Sequence, residues 1–262
     1  MRPSVAVLAC WLAGSWITAL PAASQDRSPL IAAAADLKFA LREVAGDFMR
    51  ETGQQVRVTY GSSGDLARQI AQGAPFEMIL SADERYVFDL QRAGLTRGEG
   101  VLYAIGRLAL FVPHGSPVRL DAELRGLRSA VMDGRVTRFA IANPEHAPYG
   151  RAARDVLERL GLWQRVQPLL VLGENASQAM QFAASGSCQG GLVPLSLASA
   201  QEVSKLGTLE RIPEGWHTPI RQRMVLVTRA GPVASAFYDY LQHSDRARRT
   251  LSRFGFAAPG GK

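Results

Sequence analysis

Four places in this 262-residue chain share a layout that could hold an anion. Each is a short apolar run that ends in small or polar residues where an amphipathic stretch begins. They are Ala34-Ala35-Asp36, Gly61-Ser62-Ser63-Gly64, Pro148-Tyr149-Gly150 and Glu174-Asn175-Ala176-Ser177. The first N–H groups of a helix have no partner inside it, and the helix dipole is positive at that end. Such an end binds an anion without a charged side chain. Four converging ends would surround an oxyanion with neutral donors. Ser, Asp and Asn at a helix start also act as N-caps, which accounts for the same residue types with no ligand at all. The Gly61–Gly64 motif is the most specific of the four. Its glycines admit close backbone approach, and its two hydroxyls stand where the helix begins.

Other chemistries are available to the same residues. A serine on a strand-to-helix turn is where a nucleophile elbow places its hydroxyl, but G-x-S-x-G around Ser63 requires glycine at 65, and Asp65 is there. Four histidines, His114, His146, His217 and His243, could supply a base. Cys188 with His146 would make a thiol enzyme, although a lone cysteine beside a glycine-rich apolar strand is ordinarily a small core residue. No cysteine pair and no histidine pair has the spacing of a zinc site. Asp36, Glu77 and Asp83 would form an oxygen site if they met. By position, Asp36 reads as a cap, Glu77 stands near a strand start, and Asp83 caps the next helix.

These motifs need elements to aim them. Short apolar runs alternate with amphipathic stretches, which predicts an α/β protein of parallel sheets covered by helices. Strands are expected over 30–34, 56–60, 76–81, 106–113, 139–143, 171–173, 190–194 and 224–228. Helices are expected over 37–51, 65–72, 84–93, 150–160, 177–184 and 232–241. Leu37, Leu41, Val44, Phe48 and Met49 recur at helical spacing, with Gly53 as the stop. The order suggests two lobes, crossed near Leu108–Pro113 and again near Arg221–Val227. Two crossings make a hinge, and the cleft between lobes is where ligands collect.

The first 24 residues stand apart from this pattern. Arg2, the apolar run Val5–Leu20 and Ala22-Ala23-Ser24 have the layout of a cleaved secretory signal. The run is shorter than the roughly 20 residues of a membrane span. Cys10 falls inside it, so a mature chain would retain Cys188 alone and form no internal disulfide. Removing Arg2 takes the formal charge from +7 to +6. The arginines are scattered, with no run of five or six like charges, so nucleic acid is not the expected partner. The surplus is a mild attractor of anions.

The stretches IAAAADLKFAL (31–41), YGSSGDLARQIAQGAP (60–75), ILSADE (79–84), NPEHAPYGRAARDVLERLG (143–161), FYDYL (237–241) and RFGF (253–256) together resemble the periplasmic molybdate-binding proteins of ABC importers. The likeness runs over essentially all of the chain after the signal. It implies a type II periplasmic binding fold with a ligand cleft between two lobes. Its lobe boundaries would be 25–110 for the first lobe, 111–222 for the second and 223–262 for the return. It implies capture and delivery of molybdate or tungstate to the importer's membrane subunits, by a periplasmic monomer with no cofactor and no catalysis. Ser63 would donate its hydroxyl to the ligand, Ala82 and Ala176 would offer backbone N–H groups, and Tyr149 would stand at a ligand position. Two residues depart from the pattern. Asp36 stands where many members have serine, and Pro194 where some have tyrosine. A carboxylate facing a dianion is repulsive, and proline has no N–H to give. The expected resolution is that Asp36 folds back as an N-cap and leaves a backbone N–H for the ligand. The other reading is a protonated oxyanion or a different small solute.

Overall fold

In the computed structural model, residues 28–260 are described. The expected signal segment, with its Val5–Leu20 run and Cys10, lies outside them. The chain runs through β1 (Leu30–Ala34), a 3-10 turn over Ala35–Leu37, α1 (Lys38–Thr52), β2 (Arg57–Gly61), α2 (Ser63–Ala71), β3 (Phe76–Ser81), α3 (Glu84–Arg92) and β4 (Val101–Gly106). It continues as β5 (Leu108–Pro113), α4 (Arg125–Met132), β6 (Phe139–Ala142), α5 (Pro148–Arg159), α6 (Trp163–Val166), β7 (Leu170–Gly173), α7 (Ala176–Ala184), β8 (Gly190–Pro194), α8 (Leu195–Ala198), α9 (Gln201–Ser204) and β9 (Gly207–Arg211). It ends with β10 (Ile220–Leu226), α10 (Pro232–His243) and α11 (Asp245–Arg253).

The strands form two five-stranded sheets, ordered β2-β1-β3-β10-β4 and β7-β6-β8-β5-β9. The first sheet has a separate core on each face. Leu41, Val44 and Phe48 of α1 pack with Phe237 and Leu241 of α10 on one side. Leu66 and Ile70 of α2 pack with Val87 and Leu90 of α3 on the other. The stripe on α1 follows the expected spacing except at Met49, which is 40% exposed and lies outside the buried face. Gly53 ends this helix at φ 72°, a left-handed conformation that side chains other than glycine rarely adopt.

The sheets are mixed, not parallel throughout. β1 is parallel to β2 and β3, and β6 to β7 and β8, but β10 runs antiparallel to both its neighbours, as does β5. Parallel neighbours need a crossover of a dozen or more residues. β5 and β10 arrive from the opposite lobe with no such crossover on their own sheet, so nothing holds them parallel.

The lobe boundaries also differ from the expectation. The single strand read over 106–113 is two strands, β4 and β5, that belong to different sheets and are separated at Arg107. A boundary at 110/111 would cut β5, which pairs wholly with β8 and β9. A boundary at 222/223 would cut β10, which pairs with β4 from Ile220 onward. The chain changes sheet at Arg107 and between Arg211 and Ile220. One apolar run masked two strands because both are buried and no turn residue other than Gly106 interrupts them.

Candidate functional site

The carboxyl ends of the parallel strands in each sheet point at the other lobe, and the helices that follow begin there. In α/β sheets this edge is where ligands bind. Ser62 caps α2: its hydroxyl accepts the Asp65 N–H. Asn175 caps α7 by accepting the N–H groups of Ser177 and Gln178, which leaves the Ala176 N–H unused by the cap. Pro148 opens α5, where its missing N–H costs nothing. Asp83 caps α3 by accepting the Arg85 N–H.

These ends meet around one small pocket, closed down in this structure to about 10 Å3. Its wall includes all five residues singled out from the sequence, Asp36, Ser63, Ala82, Tyr149 and Ala176, together with Ala34 and Ala35 before the first helix. All five are buried. The Ala82 N–H donates to the Ser63 hydroxyl at 2.9 Å, so it is taken up by Ser63, whose own hydroxyl proton is left to give. The lobes meet around the cavity. The Gly64 N–H donates to the His146 carbonyl at 3.2 Å, and a Cβ on Gly64 would sit 2.9 Å from that oxygen. Arg151 of α5 pairs with Asp83 at 2.6 Å and donates to the Tyr86 hydroxyl at 3.1 Å. Burial alone would push the Asp83 carboxyl up, but the hydrogen bonds and charge of Arg85, with the charge of Arg151, hold it below its ordinary value.

The structure corrects the expectation for Asp36. Its side chain is 1% exposed, and its carboxyl faces inward, where Gln222 Nε2 on β10 donates to it. The same amide reaches the Tyr149 hydroxyl at 3.3 Å, and the Tyr103 hydroxyl donates to Gln222 Oε1 at 2.7 Å. Asp36 Oδ1 is buried with no hydrogen-bond partner. Burial raises the carboxyl to about 6, while Gln222, Tyr149 and the N–H groups of Asp36 and Leu37 pull it partly back. The Ser196 hydroxyl anchors the turn by donating to the Asp36 carbonyl at 2.8 Å.

Gln222 and Tyr103 were not among the residues singled out from the sequence. A signal for Gln222 was present. Ile220, Gln222 and Met224 share one buried face of β10, and a lone amide between two core residues on that face needs partners. Pro194, the second departure, ends β8 and precedes α8, and it does not line the cavity. The phenol that does line it belongs to Tyr149 of α5, on the same lobe as Pro194.

The competing chemistries lose their geometry. The Ser63 hydroxyl is engaged by a backbone N–H, while His146 Nε2 lies 3.0 Å from the Glu174 carbonyl. Cys188 is buried, and desolvation raises its thiol above the ordinary value. Glu77 accepts the Gly231 N–H far along the chain from Asp83, and no group of three or more metal-ligating side chains occurs among the described residues.

Residues 29–257 match the model of bacterial extracellular solute-binding proteins. The chain belongs to that family. This binding protein is 34% identical over 241 residues to the molybdate-binding protein ModA of Rhodobacter capsulatus, covering 91% of this chain and 90% of that one. Its fold matches the structure of the periplasmic molybdate-binding protein of Azotobacter vinelandii with a TM-score of 0.81 at 28% identity, over 88% of this chain and 100% of that one. The sulfate-binding protein SubI of Mycobacterium tuberculosis shares the fold, with a TM-score of 0.74 at 16% identity, over 89% of this chain and 87% of that one. The resemblance and the two-lobed α/β fold expected from the sequence are both borne out. No described helix of this binding protein is long and apolar enough to cross a membrane.

Removing the Ser63 hydroxyl takes a donor from the cavity and an acceptor from the buried Ala82 N–H. Ser63→Ala is expected to weaken oxyanion binding by about 1–3 kcal/mol, the range for a lost hydrogen bond to a charged group. The ligand-free protein should lose about 1 kcal/mol as well, because the Ala82 N–H is left unpaired. Calorimetric titration reads the first effect and chemical denaturation the second. Unchanged affinity would remove Ser63 from the site.

Proposed function

We propose that this chain captures molybdate or tungstate in the periplasm and delivers it, as a monomer, to the membrane subunits of an ABC importer, with no chemical turnover. The observation that carries this reading is the buried pocket whose wall is built from five strand-to-helix turns of both lobes. Its donors are neutral: the Ser63 hydroxyl and the backbone N–H groups at helix starts. That is the lining suited to a small anion stripped of water. The names of the relatives support molybdate among such anions. Tyr149, from the second lobe, and Ser63, from the first, touch the same space, so binding joins the lobes and release requires them to part.

The test is a thermal-shift screen of tetrahedral oxyanions on the purified protein. A ligand that binds only the folded state at 100 times its Kd adds about 2.7 kcal/mol of stability. Molybdate and tungstate are expected to raise the Tm by several degrees. A screen in which no oxyanion moves the Tm would sink the reading. Asp36 favours a second reading of the same site, in which the preferred anion itself carries a proton.

A further inference from the structure

The Asp36 carboxyl stands in the wall of an anion site with no cation to balance it. Gln222 of β10 binds Oδ2. Tyr103 of β4 reaches Asp36 only through Gln222. The Tyr149 hydroxyl of α5 accepts from the Gln222 amide and helps hold the Asp36 carboxyl down as a hydrogen-bond partner. Ser196 of α8 binds the backbone carbonyl. From β2 comes Tyr60, whose hydroxyl burial raises to about 12 and which therefore stays neutral. Lys38, two positions along, sets its Nζ over the Phe39 ring, 5.9 Å from the centroid. Ser63, Ala82 and Ala176 complete the wall without charge. Oδ1 is left buried with no partner.

A second negative group brought into this space would face a desolvated like charge, which is costly unless one of the two is neutralised. A proton between them removes the repulsion and gives Oδ1 its missing hydrogen bond. We propose that this site binds its oxyanion together with one proton, shared between Asp36 Oδ1 and an oxygen of the ligand, so that Asp36 makes capture proton-linked. The step balances simply: a dianion and one proton from solvent enter, and both leave when the lobes part. An anion that already carries a proton brings it along. The inference rests on the oxyanion reading above and adds to it what Asp36 selects for.

The burial that raises the carboxyl to about 6 places the linkage in a measurable window. Above pH 6 the free protein has lost the proton that the complex keeps, so molybdate affinity should fall by up to tenfold per pH unit. Between pH 6 and pH 8 the Kd is expected to rise about 50-fold. Asp36→Asn keeps an oxygen for Gln222 and cannot ionise, so its Kd should be nearly flat over that range.

The experiment is calorimetric titration with sodium molybdate and sodium tungstate at pH 7.5, in two buffers of different ionisation enthalpy, on wild type and Asp36→Asn. Uptake of about one proton per ion by wild type and none by the variant is the expected result. Wild type that binds molybdate with no proton uptake overturns the proposal and leaves the oxyanion reading standing. A variant that still takes up the proton also overturns it, because another group then carries it. Wild type that binds neither ion at pH 6 or pH 8 overturns both readings. Should the variant fail to fold, the proton count and the Kd slope of wild type decide alone.

Discussion

Asp36→Asn is expected to make the ligand-free protein more stable at pH 8 and to leave it unchanged at pH 4. The folded-state carboxyl lies near 6, against an ordinary value of 3.8, because burial outweighs the help of Gln222 and Tyr149. A group raised in this way contributes its full stability below about pH 4, where folded and unfolded chains both hold the proton. That contribution is lost as the pH rises through about 6, where the folded protein must bury a charge. Roughly two pH units at 1.36 kcal/mol each amount to about 3 kcal/mol by pH 8. For a chain of this size that corresponds to a Tm gain of roughly 6–12 °C. Melting curves of both proteins at pH 4, 6 and 8 check it. Equal Tm values at pH 8 would mean that the carboxylate is hydrated or paired after all. The direction matters for function, since a residue that lowers stability at neutral pH is kept for something other than folding.

Gly150→Ala is expected to destabilise the protein and loosen the site together. In an ordinary helix this exchange would help by about 1 kcal/mol, because alanine is the better helix former. Here a Cβ would lie well inside contact distance of the Ala142 carbonyl oxygen, and 2.8 Å from the carbonyl carbons of Ala142 and Asn143. Those atoms are backbone and cannot swing aside, so the start of α5 must lift off β6. Overpacking of this kind costs about 1–3 kcal/mol, and the clash exceeds the propensity gain. Tyr149, the preceding residue, lines the cavity and moves with the helix start. Molybdate affinity should fall at least about tenfold, or 1.4 kcal/mol. Guanidinium unfolding and calorimetric titration measure the two effects. A variant more stable than wild type would show that α5 is not seated on β6 as described.

The four strand-to-helix turns were readable in the sequence because they depend on local rules. A cap residue, a following helical stripe and a glycine stop sit within a few residues of one another, as at Ser62, Leu66–Ile70 and Gly73. The strands over 30–34, 76–81 and 190–194 were readable for the same reason, as apolar runs between turn residues. α11 and β9 were not. In α11 only Ala247, Thr250 and Leu251 are buried, too few apolar residues among five charges to mark a helix face. β9 alternates weakly and lies at the sheet edge, where one side of the strand needs no partner.

By itself the sequence determined the α/β class, the helix starts that meet at the pocket and the five residues in its wall. Each of these follows from spacing along the chain or from a likeness carried by contiguous motifs. Only the tertiary structure decided where the chain changes lobe and what Asp36 does. The change of lobe at Arg107 depends on which sheet offers β4 and β5 their hydrogen-bond partners, and those partners are a hundred residues away. The fate of Asp36 depends on Gln222, 186 positions later, on a strand that returns from the second lobe. A carboxylate beside its own helix start has two ways to satisfy its oxygens. The choice between capping and facing inward is made by the neighbours that burial brings, and no local pattern encodes them.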